Sequence, residues 1–224
     1  MRSGIVFGAN GNYEFPGADM AKRFGADFRV GPSVMYKTKR NFMFGTKFDF
    51  ILGGKIKEDS LMANVKANDG SFLDNNGQRV NVGIFERGYV VGLQAGKIFN
   101  FNPNNPNSGI LVLTGAGFIQ HRILIYDKDK TIVQLRDPYR KGYDRLTNGW
   151  YAEQFVGYQN FDKNGLLNFN IGLNVLAGFT QGRRDYLFDV MRKDDKSRVD
   201  LLFGIRAGID VPIFRKKSEE TFFE

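Results

Sequence analysis

The chain has 224 residues, a formal net charge of +8 and no cysteine, so disulfides and thiolate metal sites are excluded. A single histidine excludes a multi-histidine metal centre. Phenylalanine (22) and glycine (27) are abundant and proline (6) is scarce. This composition is typical of β-barrels, in which aromatic rings form interfacial girdles and glycine occurs where the wall bends. The basic excess favours contact with phosphate groups, although charges that hydrate long loops would give the same balance.

Apolar runs in this sequence are short. None approaches the ~18 residues of a membrane helix, and no basic segment followed by an apolar segment opens the chain as a signal peptide would. If the protein is exported, we expect the signal to have been removed or to lie outside this numbering.

Alternation of apolar residues with small or polar residues predicts eight strands, because successive side chains of a strand point to opposite faces. By their apolar faces the strands run Ile5–Phe15, Phe28–Tyr36, Phe42–Leu52, Tyr89–Ala95, Ile110–Ile125, Trp150–Phe161, Leu167–Phe179 and Leu201–Ile213. The fifth is apolar on both faces. Gly115 and Gly117 at inward positions indicate that Val112, Ala116 and Phe118 point outwards. The sixth is ambiguous, because Gln154 interrupts its outer face.

The predicted connections alternate in length. Short ones lie at 37–40, 100–108 and 162–165, and longer ones at 16–25, 53–82, 127–149 and 180–198. Short periplasmic turns that alternate with long extracellular loops are typical of outer-membrane barrels. We therefore predict an all-β, closed antiparallel eight-stranded transmembrane barrel over residues 1–214, followed by a periplasmic tail over 215–224.

Alternation alone does not say which face of a barrel points out. A lipocalin-like soluble barrel is the alternative, with its apolar face turned inward around a ligand. The less apolar face here is rich in glycine and asparagine and carries charges that could pair inside a narrow lumen. The predicted lumen ion network consists of Arg29, Lys47, Asp49, Arg206 and Asp210. Together with aromatic residues near the strand ends, this favours the membrane barrel.

The sequence resembles the small eight-stranded outer-membrane barrels of the OmpA/OmpX type, and more closely uncharacterised barrel proteins of the Bacteroidetes outer membrane. The closer resemblance rests on FPGAD (15–19), FERG (85–88), KGYDRLTNG (141–149), FTQGRRDY (179–186) and DLLFGIRAG (200–208). It implies location in the outer membrane and insertion by the barrel assembly machinery, which reads a last strand ending in an aromatic residue. Ile213 and Phe214 fill that place, and the stretch 215–224 departs from the pattern.

Catalysis and transport are both weakly supported. Some barrels of this architecture modify lipid A, but their nucleophile needs an adjacent base, and His121 is the only histidine. We expect it to be a structural residue, and we expect no enzyme activity and no cofactor. Eight strands leave a lumen that side chains fill, so we also expect no stable pore.

The long loops carry basic and aromatic residues that suit lipopolysaccharide phosphates or a protein partner. The candidate contact residues are Arg140, Lys141, Tyr143, Arg145, Arg183, Arg184 and Tyr186. A hydrated surface of mixed charge is the alternative, and nucleic acid is not expected as a partner. The leading hypothesis is a structural or accessory subunit of an outer-membrane complex for secretion, gliding or barrel and lipoprotein assembly. A free-standing lipopolysaccharide-binding or adhesion barrel comes second, and a lipid A-modifying enzyme third.

Overall fold

A computed structural model of the chain describes residues 1–58, 60–128, 131–162 and 167–215. Within these ranges the protein is built from β-strands and three short 3-10 helices at Met20–Lys22, Val133–Leu135 and Tyr139–Gly142. The strands are β1 (Gly4–Ala18), β2 (Asp27–Lys37), β3 (Phe42–Gly53), β4 (Phe72–Leu73), β5 (Arg79–Val80), β6 (Val82–Phe99), β7 (Gly109–Asp127), β8 (Thr147–Asn160), β9 (Phe169–Gly182), β10 (Arg184–Leu187), β11 (Arg192–Asp194) and β12 (Ser197–Phe214). Among the described residues no helix is long and apolar enough to cross a membrane.

Eight long strands close into one antiparallel barrel, as the sequence predicted. Their order is β1-β2-β3-β6-β7-β8-β9-β12, and β12 returns to pair with β1. The closing pair runs from Gly4 opposite Phe214 to Ala18 opposite Asp200, so the barrel has no open sheet edge. The strands are 11 to 19 residues long, which exceeds the ~9–11 residues of one membrane crossing. The longer strands therefore extend beyond the hydrocarbon layer of the membrane.

The outer wall of the barrel is apolar, as predicted, and the inner face carries the polar and charged residues. On β12, Phe203, Ile205 and Ile209 are exposed, whereas Arg206 and Asp210 at the intervening positions are buried in the lumen. A soluble ligand-binding barrel has the opposite arrangement. Because the apolar residues have no protein cover, the outer wall is suited to contact lipid acyl chains.

Strand β8 resolves the ambiguity at Gln154. The side chain does face outwards, on the same face as Trp150 and Val156. Thr114 on the neighbouring strand β7 lies opposite it, and the Thr114 hydroxyl donates a hydrogen bond of 2.8 Å to Gln154 Oε1. The two polar side chains thus form a hydrogen bond along the outer surface of the wall. This bond lowers the free-energy cost of placing polar groups on an apolar surface.

The connections other than 19–26 alternate in length as predicted, and we call the two ends of the barrel the turn end and the loop end. Short connections at 38–41, 100–108 and 161–168 join strands at the turn end. The beginning of β1 and the end of β12 lie at the same end. The connections 19–26, 54–81, 128–146 and 183–196 join strands at the loop end, and the last three are long. They include the small hairpins β4–β5 and β10–β11, whereas 19–26 is as short as some of the turns. Most of the predicted turn 162–165 and of the predicted tail 215–224 lies outside the described residues. The Arg215 amide donates to the carbonyl oxygen of Ser3 at 2.9 Å.

Apolar side chains fill both ends of the lumen. The cluster towards the turn end consists of Val6, Met35, Met43, Ile98, Leu111, Leu113, Phe155 and Phe161. A second cluster near the loop end contains Ile51, Val90, Ile119, Leu176 and Leu202, and it continues into the long loops through Met20, Phe24, Leu61, Met62 and Tyr143. The interior is therefore a packed core rather than a channel.

Candidate functional site

A charged layer lies in the lumen between the two apolar clusters, and Arg29 is at its centre. The Arg29 guanidinium donates to Glu14 through Nε at 2.9 Å and Nη2 at 2.8 Å. It also reaches Asp49 at 3.3 Å and Glu153 at 2.7 Å. None of these four side chains is exposed by more than 2%. One arginine thus ties together carboxylates from three other strands of the wall.

Lys47 extends the same network. Its ammonium group lies 2.9 Å from Asp49 and also pairs with Glu153. Asn174 donates to Glu153 at 3.1 Å, and Gln94 donates to its second oxygen at 3.2 Å. The structure therefore brings together Arg29, Lys47 and Asp49 from the predicted network. It adds Glu14, which the alternation already turned inward, and Glu153, which the ambiguous phase of the sixth strand concealed.

Arg206 and Asp210 face the lumen, as the prediction has it, but among the described residues they make no direct ion pair with the Arg29 network. Within the described chain, Arg206 donates to Asn10 Oδ1 at 2.9 Å and lies over the Phe155 ring at 4.8 Å. Asp210 accepts from Gln159 at 2.8 Å and from Asn170 at 3.1 Å. Both lie nearer the turn end. Their hydrogen-bond partners are neutral amides, which strand register places beside them. Arg206 is in addition attracted electrostatically by Glu153, Asp49 and Asp210.

These layers close the lumen. Apolar clusters lie on both sides of the charged layer, and within that layer the charges are bound to one another. An ion crossing the barrel would have to break buried ion pairs and then enter an apolar layer, and both steps are costly.

His121 is buried at the loop end of the lumen and is bonded to a carboxylate. Its Nε2 lies 2.9 Å from Asp200 Oδ2, and the Thr180 hydroxyl donates to the same oxygen at 2.6 Å. Phe24 packs edge-on against the imidazole with ring centroids 5.5 Å apart. The Nδ1 atom has no hydrogen-bond partner among the described residues. The geometry is that of a tie between strands β7, β9 and β12 under an apolar cover.

The long loops pack into one structure at the loop end, which we call the cap (residues 54–81, 131–146 and 183–196, within the described ranges). Arg145 is its centre: it donates to both carboxylate oxygens of Asp189 at 2.8 and 2.9 Å, and to Glu58 at 2.7 Å. Tyr143 packs against Phe188 with ring centroids 5.6 Å apart. Three separate loops are thereby held together by charge-assisted bonds and an aromatic contact.

Arg23, just after the first 3-10 helix, fixes the cap to the barrel rim. It donates to Thr147 Oγ1 and to the Arg145 carbonyl oxygen, both at 3.1 Å. Burial lowers the pKa of the Arg23 guanidinium, and the nearby Glu58 carboxylate opposes that shift. The cap is therefore continuous with the rigid wall beneath it.

The seven candidate contact residues fall into three groups by burial. Tyr143 and Arg145 are buried inside the cap, so the prediction that they contact a partner is corrected: they hold the loops together. Arg184 is half-buried and donates to Asp144 through Nε at 2.7 Å, and these bonds raise its pKa. The outer surface carries the others, namely Arg140, Lys141, Arg183 and Tyr186. Arg140 is paired with Asp137 at 2.9 Å.

Aromatic rings encircle much of the outer wall below the cap. Neighbouring rings include Phe48 with Tyr89 at 5.9 Å and Tyr89 with Phe118 at 6.2 Å. Trp150 and Phe179 continue the girdle on β8 and β9. Outward-facing arginines stand above it, and these are Arg87, Arg122 and Arg183. Aromatic rings at headgroup level with cations above them are typical of a membrane interface.

A closed barrel with an apolar outer band, interfacial rings and a filled polar lumen defines the class of small outer-membrane β-barrels, and the protein is an integral barrel of that kind. No protein-family model matches the chain, and no curated protein matches its sequence.

Among solved structures, the chain is similar to Neisserial surface protein A (NspA), with 12% identity, a TM-score of 0.51, and coverage of 95% of this chain and 99% of that chain. It is also similar to Ail, the attachment invasion locus protein of Yersinia pestis (12% identity, TM-score 0.43, coverage 94% and 99%). OprG of Pseudomonas aeruginosa follows (11%, TM-score 0.37, coverage 93% and 96%). At 12% identity, the likeness to NspA shows the fold alone.

Proposed function

We propose that this barrel is a non-conducting, non-catalytic anchor that presents its cap to a protein partner, as a structural or accessory subunit of a larger outer-membrane complex. The observation that carries the proposal is the cap itself. Arg145, Asp189 and Glu58 bind three loops into one body on a filled barrel. An ordered surface on a rigid base suits recognition, because little conformational entropy is lost when a partner binds.

The outer surface of the cap supports a protein as the partner. Tyr139, Tyr186, Val133 and Met191 are all exposed there, Met191 by 71%. Tyrosine and methionine are enriched at protein interfaces relative to the remaining surface. The cap surface also exposes charged side chains such as Lys193 and Asp195, so it combines apolar and charged groups, as protein interfaces do. The resemblance to Bacteroidetes proteins remains a prediction, and with it a place in secretion, gliding or barrel and lipoprotein assembly machinery.

Gentle detergent extraction followed by affinity purification tests this function. The proposal expects a stoichiometric outer-membrane protein to co-purify with the wild type and to be lost with Tyr186→Ser and Met191→Ser on the cap. Lys39→Ser, in the short turn at the opposite end, is the matched control and should retain the partner. Recovery of the bare barrel at every salt concentration, or equal loss of the partner with the control, would contradict the proposal.

A second candidate is a free-standing barrel that binds lipopolysaccharide, and one observation favours it. Arg87 and Arg122 lie directly opposite each other on β6 and β7, both above the aromatic girdle. Like charges opposite each other destabilise a strand pair. Asp144, 4.0 Å from Arg122, relieves part of that repulsion, and an anionic headgroup between the two arginines would relieve more of it. A deletion strain with normal secretion but altered surface permeability would support this candidate, whereas unchanged permeability would count against it.

A further inference from the structure

A cleft on the outer wall lies where the aromatic girdle meets the loop end. It has a volume of about 490 Å³ and lies over β8, β9 and the beginning of β12. Trp150 and Phe179 form its floor, facing each other across β8 and β9. They are 72% and 60% exposed. Two rings so exposed at this depth offer an apolar surface to the upper part of a lipid acyl chain.

The upper rim of the cleft is polar and is organised around Arg183. Asn148 and Gln181 lie opposite each other one step above the two rings. Arg183 donates to Asn148 Oδ1 through Nε at 2.6 Å and to Gln181 Oε1 through Nη1 at 3.3 Å. Both acceptors are neutral amides, so within the described chain these bonds orient the guanidinium without neutralising it. Among the described residues its Nη2 group has no hydrogen-bond acceptor, so it is available to a ligand.

The other charges that line the cleft are already paired. Asp19 accepts from Lys22 at 2.8 Å and from the Val199 amide at 3.1 Å, and the Lys22 bond lowers its pKa. Arg198 is paired with Asp194. The charge that remains uncompensated among these described residues is the positive charge of Arg183, which complements a phosphate.

We propose that this cleft binds the phosphorylated headgroup of an outer-leaflet glycolipid, with Arg183 on the phosphate and an acyl chain against Trp150 and Phe179. The planar guanidinium matches phosphate oxygens in pairs and is held in place by the two amides. The apolar floor lies on the membrane side of the arginine, which is the order of groups in a membrane lipid. This inference rests on the second proposed function, contact with lipopolysaccharide, and names the site of that contact.

The protein carries its own reporter for the test. It has one tryptophan, which is Trp150 in the floor of the cleft, so intrinsic fluorescence reports on this site. The purified barrel in detergent micelles is titrated with bisphosphorylated lipid A, with lipid A stripped of its phosphates, and with inorganic phosphate. We expect a saturable change in Trp150 emission with the first and binding weaker by roughly tenfold or more with the second, the size of losing a charge-assisted hydrogen bond. Inorganic phosphate should give no change.

Arg183→Gln is the test variant, and Arg40→Gln in a short turn at the opposite end is its matched control. Heat-dependent migration on gels shows that each variant is folded. Arg183→Gln should bind both forms of lipid A equally weakly, whereas Arg40→Gln should behave as the wild type.

Each contrary outcome has a distinct meaning. Saturable wild-type binding that Arg183→Gln does not change would overturn the cleft and leave the second proposed function standing. Absence of saturable wild-type binding would overturn both. A response to inorganic phosphate at concentrations comparable to lipid A would identify a free-anion site and contradict a lipid ligand.

Discussion

Arg29 and Glu14 form a two-bonded ion pair across strands β1 and β2, with nitrogen–oxygen distances of 2.8 and 2.9 Å and neither side chain exposed. Glu153 reaches the same arginine at 2.7 Å from β8. Arg29 therefore links the neighbouring strands β1 and β2 to β8, which lies on the opposite side of the lumen. Breaking it leaves charge buried among apolar layers, which is far more costly than breaking a surface pair.

Arg29→Met should destabilise the folded barrel by about 3–5 kcal/mol, because Glu14 and Glu153 lose a buried partner. Urea unfolding in lipid vesicles, followed by tryptophan emission, measures the change. Arg29→Lys is the matched variant: it keeps the charge but loses the two-bonded geometry, and we expect a smaller loss. Equal stability of Arg29→Met and the wild type would show that the charges are hydrated rather than paired.

Arg145→Gln should loosen the cap and leave the barrel intact. The substitution removes the bonds to Asp189 and Glu58 that join the loops, so residues 54–81 and 183–196 should become sensitive to protease on intact cells. Arg140→Gln is the control, since its pair with Asp137 is exposed and contributes little. Unchanged protease resistance of Arg145→Gln would refute its role as the centre of the cap.

His121→Ala should leave the lipid A of the cell unchanged, as mass spectrometry would show. A structural histidine instead predicts a loss of stability of about 1–3 kcal/mol, because Asp200 loses one of its two side-chain partners. Val199→Ala on the outer wall serves as a control in which a side chain is shortened without loss of a side-chain hydrogen bond. A change in lipid A acylation or phosphorylation with His121→Ala would favour the enzyme hypothesis.

Thr114 and Gln154 should behave as a coupled pair on the lipid-facing wall. Thr114→Val alone leaves the Gln154 amide without its 2.8 Å donor, and we expect a loss of about 1–3 kcal/mol. Replacing both, as Thr114→Val with Gln154→Leu, should be nearly neutral, because no unpaired polar group remains. Additive losses in a double-mutant cycle of unfolding would mean that the two side chains do not depend on each other.

Much of the fold could be read from the sequence because a barrel strand in lipid has a simple rule. Side chains alternate between lipid and lumen, so the phases of Phe203, Ile205 and Arg206 are visible without a structure. The rule weakened where an outward position was polar. Gln154 hid the phase of β8, and Glu153 was therefore missed, although Tyr151 and Phe155 lie on the same inward face of the strand. The opposing Thr114 resolves the conflict, but only once strand register is known.

The candidate sites were less predictable than the strands. Pairing depends on which residues of neighbouring strands lie opposite each other, and register is set by closure of the whole barrel rather than by a local pattern. For this reason the sequence did not show that the direct hydrogen-bond partners of Arg206 and Asp210 are amide side chains. The cap was hidden for a similar reason, because the partners of Arg145 come from loops that are more than 40 residues away along the chain.

Planar-bilayer recording of the purified, refolded wild type tests most directly the claim that the lumen is filled and that the protein acts through its outer surfaces. The packed apolar layers on both sides of the Arg29 network predict no steady conductance at any moderate voltage. Steady, ion-selective openings of uniform size would contradict the account.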